Sequence, residues 1–81
     1  MRVAVKLFAA LREELEHREM VLDLPPGASV QDLLQRLIEQ YPVVGTYRAS
    51  LHFAVNRRYA SQQAELHDGD EVALLPPVGG G

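Results

Sequence analysis

The sequence predicts a small α+β domain in which one amphipathic helix covers one face of a sheet of four or five strands. Two observations predict this class: several short segments alternate apolar and polar residues, and one longer segment repeats apolar residues every three or four positions. A length of 81 residues allows one small core and no second one. Because the chain has no cysteine, disulfides and zinc-thiolate sites are excluded.

The first two strands are predicted from their alternation. Residues 2–8 and 20–24 both alternate apolar and polar side chains, which is typical of strands with one buried face. Pro25-Pro26-Gly27 ends the second strand, and residues 9–15 favour a short helical turn between the two. The two strands are therefore predicted to pair as an antiparallel hairpin with an elaborated loop.

The clearest helix is predicted from Ser29 to about Tyr41. Ser29 is a favourable N-cap, and Asp32 three residues later gives a weaker form of the capping box. Pro42 prevents the helix from continuing. The predicted apolar stripe consists of Val30, Leu33, Leu34, Leu37, Ile38 and Tyr41.

The second half of the chain supplies the remaining strands. Residues 43–50 show no clear period, whereas residues 51–55 alternate and predict a third strand. A short edge segment is weakly indicated around residues 59–64, a turn is predicted at Asp68-Gly69-Asp70, and residues 71–75 predict the final strand. The helix is predicted to pack on the sheet face that carries Val3, Val5, Leu22, Phe53, Val55, Val72 and Leu74.

The charge pattern excludes several classes of partner. The net charge of −3 argues against a nucleic-acid binder, and the basic pair Arg57-Arg58 beside Tyr59 is interpreted as a solvated hairpin end. No run of apolar residues is long enough to span a membrane. We therefore expect a cytoplasmic protein that binds neither nucleic acid nor membrane.

The residues before the tail show no pattern that predicts an active site. His17, His52 and His67 lie in different segments without a metal-ligand spacing, so no metal site is predicted. The acidic residues of segment 13–16 are interpreted as a solvated helix face. No glycine-rich loop precedes a helix, so the chain should not bind ATP alone.

The last segment follows different rules from the predicted domain of residues 1–75. Prolines cannot donate to a sheet, and glycines carry no side chain to pack, so residues 76–81 are predicted to be a flexible, projecting tail. Extended, the tail would reach about 20 Å. On composition alone, a segment of this kind is more often a disordered end. The tail consists of Pro76, Pro77, Val78, Gly79, Gly80 and Gly81.

The ending DGDEVALLPPVGGG at residues 68–81 resembles that of the molybdopterin synthase small subunits, a family of ubiquitin-like sulfur carriers in molybdenum cofactor biosynthesis. LFAALRE at residues 7–13 resembles that family's first strand and the turn after it, and AVN at residues 54–56 matches its third strand. Leu74 and Leu75 stand where the family often has aromatic residues. The resemblance implies a β-grasp fold: a mixed sheet, one main helix on one face and a projecting Gly-Gly tail.

The resemblance also implies a role for Gly81. A ubiquitin-activating-like adenylyltransferase would use ATP to adenylate its carboxyl, and a sulfur donor would convert it to a thiocarboxylate. The large catalytic subunit, expected to form a heterotetramer with this chain, would receive the tail from Pro76 to Gly80 and pass the sulfur to a pyranopterin precursor. The chain would be a non-catalytic subunit that binds no cofactor stably and carries only covalent sulfur.

The sheet face opposite the helix is predicted to be the docking surface for these partners. One helix cannot cover both faces, and an exposed apolar patch usually marks a partner site. Leu75→Glu should therefore leave the domain folded and weaken binding. The predicted interface residues are Ala4, Phe8, Ala54, Ala73 and Leu75, with Arg12 at the rim.

Other functions remain open at this point. The same tail chemistry would serve a sulfur carrier for thiamine or for thiolated tRNA, although the PPV spacing favours molybdopterin. A non-covalent β-grasp interaction module with an idle tail is a second alternative. Ubiquitin-like conjugation of Gly81 to a target lysine is a third, and nothing in the sequence excludes it as an additional role.

Overall fold

The computed structural model describes residues 1–77. The helices and four of the five strands lie within one residue of their predicted bounds. The fourth strand is shorter than the predicted edge segment, and a 3-10 helix occupies the stretch that showed no period. The elements are β1 (Arg2–Leu7), α1 (Ala9–Leu15), β2 (Glu19–Asp23), α2 (Val30–Gln40), the 3-10 helix (Pro42–Ser50), β3 (His52–Val55), β4 (Arg58–Ala60) and β5 (Glu71–Leu75).

The five strands form one mixed sheet in the order β2-β1-β5-β3-β4. β1 pairs antiparallel with β2, which confirms the predicted hairpin, and pairs parallel with β5. β5 also pairs antiparallel with β3, whose other neighbour is the short edge strand β4. The last strand of the chain is therefore the central strand of the sheet.

The core lies between α2 and one face of the sheet. The residues of the α2 stripe from Val30 to Leu37 are fully buried, and Ile38 and Tyr41 pack partly buried against the same cluster. Leu11 and Leu66 belong to the same buried cluster. The predicted sheet face is confirmed, since Val3, Val5, Leu22, Phe53, Val72 and Leu74 are all buried and Val55 packs against them.

The start of α2 is fixed by the predicted capping box. The amide of Asp32 donates to Ser29 Oγ at 3.2 Å, and the amide of Ser29 donates to Asp32 Oδ2 at 2.9 Å. Two backbone donors that the helix cannot satisfy internally therefore find side-chain acceptors.

Ser29→Ala should lower the free energy of unfolding by about 1 kcal/mol, because it removes one of these acceptors. Chemical denaturation of the purified domain measures the change. Ser61→Ala is the matched control, since Ser61 is exposed and outside the helices, and it should change stability by less than about 0.5 kcal/mol. An equal loss in both variants would contradict the capping role of Ser29.

The turn between β3 and β4 is tied to the start of β5. Asn56 and Arg57 both have left-handed φ values, 51° and 70°, as a two-residue hairpin turn requires. Asn56 Nδ2 donates to Asp70 Oδ1 at 2.9 Å, and the amide of Glu71 donates to Asn56 Oδ1 at 3.0 Å. Arg57 and Arg58 thus lie at a hairpin end, as predicted.

A candidate partner groove at the base of the tail

The sheet face opposite α2, called the open face below, is set by the alternation of each strand. In β5, Val72 and Leu74 enter the core, so Ala73 and Leu75 point the other way. The register aligns the open-face residues of neighbouring strands. One row across this face contains Lys6 of β1, Ala73 of β5, Ala54 of β3 and Tyr59 of β4.

An apolar groove lies on the open face where β5 ends and the tail begins. It encloses about 730 Å³. Tyr59 is 82% exposed and Phe8 is 40% exposed, so large aromatic surface remains available there. The groove is lined by Phe8, Ala9, His52, Tyr59, Leu75, Pro76 and Pro77.

Phe8 reaches the groove because the chain turns sharply between β1 and α1. Phe8 has an extended backbone and its carbonyl accepts from the amide of Leu11 at 3.2 Å, while Ala9 is left-handed with φ of 51°. A left-handed alanine costs about 1–2 kcal/mol, and such strain is concentrated at functional positions. Phe8 and Ala9 accordingly sit together in the groove wall.

The structure brings together some of the predicted interface residues and separates others. Phe8 and Leu75 line the groove. Ala54 is half-buried on the same face and pairs with the groove residue Tyr59, but Ala54 itself does not line the groove. Arg12 is exposed on α1 and is not among the groove-lining residues.

The tail residues fall into two groups. Pro76 is buried and Pro77 is exposed, and both line the groove. Pro76 packs on the domain because it directly follows the central strand, and the boundary between the domain and a projecting tail stays a prediction. The predicted tail residues Val78, Gly79, Gly80 and Gly81 lie outside the residues that the structure describes.

Two polar residues that line the groove, His52 and Tyr59, were not predicted as interface residues. His52 pairs with Leu75 across β3 and β5, and Tyr59 pairs with Ala54 across β3 and β4. The alternation of β3 would have placed His52 on the open face. Predicting the position of Tyr59 requires the register of β4, which the three residues of that strand do not reveal.

The other end of the open face is charged. Lys6 Nζ lies 3.3 Å from Glu71 Oε2, and Arg2 Nε lies 3.6 Å from Asp23 Oδ1. Glu71 begins β5 and Leu75 ends it, so Glu71 lies at the opposite end of that strand from the groove, whereas Lys6 pairs with Ala73 between them. The open face thus has an apolar end beside the tail and an ion-paired end away from it.

Within residues 1–77, no three His, Asp or Glu side chains lie close enough together to hold a metal ion. His17 and His52 are exposed, and His67 Nδ1 lies 3.8 Å from Asp70 Oδ2. In the same range, no helix is both long and apolar enough to cross a membrane.

A mixed five-stranded sheet with its main helix on one face and its last strand in the centre defines the ubiquitin-like β-grasp class. The small archaeal modifier protein SAMP1 of Haloferax volcanii is similar over 100% of both chains, with 30% identity and a TM-score of 0.87. A Pyrococcus furiosus structure described as molybdopterin converting factor subunit 1 has 36% identity and a TM-score of 0.86, covering 96% of this chain and 99% of that one.

Residues 5–81 match the model of the ThiS family, and the chain belongs to that family. The molybdopterin synthase sulfur carrier subunit of Chlamydomonas reinhardtii is 37% identical over 83 residues, covering 100% of both chains. The protein of the same name from Mycobacterium tuberculosis is 36% identical, covering 100% of this chain and 99% of the relative. The resemblance to the molybdopterin synthase small subunits is confirmed.

Proposed function

We propose that this chain is a sulfur carrier for molybdopterin synthesis and that the carboxyl of Gly81 holds the sulfur. The similarity over the whole length of relatives named as sulfur carrier subunits carries the proposal. The family match extends through the glycine ending to residue 81. The groove at the base of the tail is a surface that a partner can bind while the Gly81 carboxyl reacts.

The carboxyl of Gly81 needs activation before it can take sulfur. A carboxylate is anionic and has no leaving group, so transfer of AMP from ATP, with release of pyrophosphate, converts it to a mixed anhydride. A sulfur nucleophile then bonds to the carbonyl carbon, AMP leaves, and a thiocarboxylate results. Because the chain has no cysteine, its own side chains offer no thiol or persulfide as an alternative carrier.

Two partners follow from this chemistry: an adenylyltransferase that uses the ATP, and a large catalytic subunit that receives the sulfur. The relatives are named as subunits, which supports assembly with a larger synthase. Pro76 is buried and lines the groove, so the first residue of the tail is held beside the surface that a partner would bind. Gly80 and Gly81 lack Cβ atoms, so they suit a narrow partner channel.

The intact mass of the protein purified from its own host tests the proposal. During cofactor synthesis with ample sulfur, part of the protein should be heavier by the difference between sulfur and oxygen, and fragmentation should place that difference on Gly81. The heavier form should disappear in a host strain without the adenylyltransferase. Finding only the unmodified mass in the cofactor-producing host would contradict the proposal.

Leu75→Glu should weaken binding to both partners at least tenfold and leave the domain folded, because it places a charge in the apolar groove beside the tail. Val21→Glu is the matched control: Val21 is 53% exposed on the same face but outside the groove. It adds the same charge and should change affinity little. Calorimetric titration measures both, and equal affinities of Leu75→Glu and the parent chain would remove the groove from the proposal.

One comparison favours a second role, the conjugation of Gly81 to other proteins. The similar Haloferax volcanii chain carries the name of a protein modifier. In that reaction a lysine amine bonds to the carbonyl carbon of the adenylated or thioester-linked Gly81, and AMP or the thiol leaves. The last arginine is Arg58, so trypsin would leave a long remnant, whereas cleavage after Glu71 leaves residues 72–81 on the target lysine. Proteomics with a glutamate-specific protease should find that remnant on other proteins, and its absence would exclude this second role.

A further inference from the structure

Lys6 is the only lysine among the eight lysine and arginine residues of the chain. A guanidinium stays protonated at neutral pH, so the other seven basic side chains cannot accept an acyl group. A lysine amine can do so after it loses a proton. When Gly81 of one copy is activated, a second copy therefore offers it only one side-chain amine, that of Lys6.

Lys6 lies on the open face of β1, between β2 and β5. On this face its neighbours across the sheet are Ala73 of β5 and Glu19 of β2. Its Nζ lies 3.3 Å from Glu71 Oε2, and the two side chains are 37% and 32% exposed. The Lys6 amine is accessible to solvent, but it contacts the Glu71 carboxylate.

The Glu71 carboxylate is presented by a fixed backbone. The amide of Glu71 donates to Asn56 Oδ1 at 3.0 Å, and its carbonyl accepts from the amide of Asn56 at 2.8 Å. Asn56 is held in turn by Asp70, whose Oδ1 accepts from Asn56 Nδ2 at 2.9 Å. The hairpin turn therefore positions the carboxylate that contacts Lys6.

We propose that Lys6 is the acceptor for an isopeptide bond to the activated Gly81 of a second copy of this chain, and that its ion pair with Glu71 slows this self-acylation. The inference rests on the proposed activation of Gly81. The reaction forms a bond between Lys6 Nζ and the Gly81 carbonyl carbon, releases AMP or a thiol, and gives the amine proton to solvent. Attack requires Lys6 to leave Glu71 first.

Self-acylation at Lys6 would also close the open face. Lys6 stands in the row that contains Ala73, Ala54 and Tyr59, and Tyr59 at the far end of that row lines the groove. A second domain attached there covers the surface to which a partner would bind. By slowing this reaction, the ion pair would leave the open face accessible for longer.

A synthetic thioester at Gly81 tests the proposal without any activating enzyme. The key variant is Arg57→Lys, because it adds an exposed lysine at the hairpin tip and lets two amines compete in one molecule. Exposed ion pairs contribute up to about 1 kcal/mol, so residue 57 should be acylated about two- to fivefold faster than Lys6. Peptide mapping of the isopeptide-linked dimers measures the ratio.

Three further variants test the roles of Glu71 and Lys6. Glu71→Gln should raise acylation of Lys6 about two- to fivefold, since it removes the charged partner and keeps the side-chain shape. Glu39→Gln removes the same charge from the exposed side of α2 and should leave the rate unchanged. Lys6→Arg should abolish the side-chain-linked dimer. Thermal melts check that all three variants are folded.

The outcomes separate this inference from the proposed function. Equal acylation of residues 57 and 6, together with no effect of Glu71→Gln, would overturn the restraint by the ion pair. Absence of Lys6 isopeptide even in Glu71→Gln would overturn the acceptor site. If the synthetic thioester acylates Lys6 as expected but the host protein never carries sulfur, the proposed function fails and the reactivity of Lys6 stands.

Discussion

Deletion of Gly81 is expected to abolish sulfur transfer while leaving the fold unchanged. The variant ends about 3.5 Å short of the position that the reacting carbonyl must occupy in each partner. Reacting atoms have to approach within about 3–3.5 Å, so this displacement removes productive geometry and should lower the rate by at least about a hundredfold. A reconstituted assay with the adenylyltransferase, ATP, sulfide and the large subunit measures formation of the pterin dithiolene.

Three further tail variants complete this test. One extra residue after Gly81 should present the wrong carbonyl, and Gly80→Val should clash with a channel that only glycine passes. Gly79→Ala is the matched control, because it adds only a methyl group two residues before Gly81, and activity should stay near that of the parent chain. If the chain ending at Gly80 formed product at the parent rate, the sulfur-carrier proposal would be wrong.

Leu37→Ala is expected to have the largest effect on stability. Leu37 is fully buried at 0% exposure in the core cluster between α2 and the sheet. Truncation of a buried leucine removes its transfer free energy and leaves a cavity, which together lower the free energy of unfolding by about 2–5 kcal/mol. Small domains have only about 5–15 kcal/mol in total, so the variant should melt at a clearly lower temperature.

Gln35→Ala provides the control on the same helix. Gln35 is exposed, and replacing it should change stability by no more than about 0.5 kcal/mol. Urea denaturation of both variants gives the comparison. A Leu37→Ala domain as stable as its parent would mean that α2 does not pack on the sheet as described.

The fold was predictable where one face of an element is buried. That burial produces a visible sequence pattern: alternation in β1, β2, β3 and β5, and an apolar stripe in α2. β4 has no buried residue in its three, so it leaves no such pattern. The central position of β5 arises from pairing with β1, far away along the chain, which local periodicity cannot encode.

The groove was predictable only in part for the same reason. Phe8 and Leu75 were found because alternation places them opposite the core. Tyr59 enters the groove only through the register of β4 with β3. The burial of Pro76 depends on where β5 lies in the sheet. A proline at this position predicts only that the strand must stop.

The central position of β5 has a mechanical consequence. A pull on the tail acts along β5, whose hydrogen bonds run sideways to β1 on one side and to β3 on the other. Both ladders are then loaded in shear, so many bonds share the force at once, whereas a strand pulled sideways from an edge would open one bond at a time. A load applied through β5 would therefore not peel this strand from the sheet one hydrogen bond at a time.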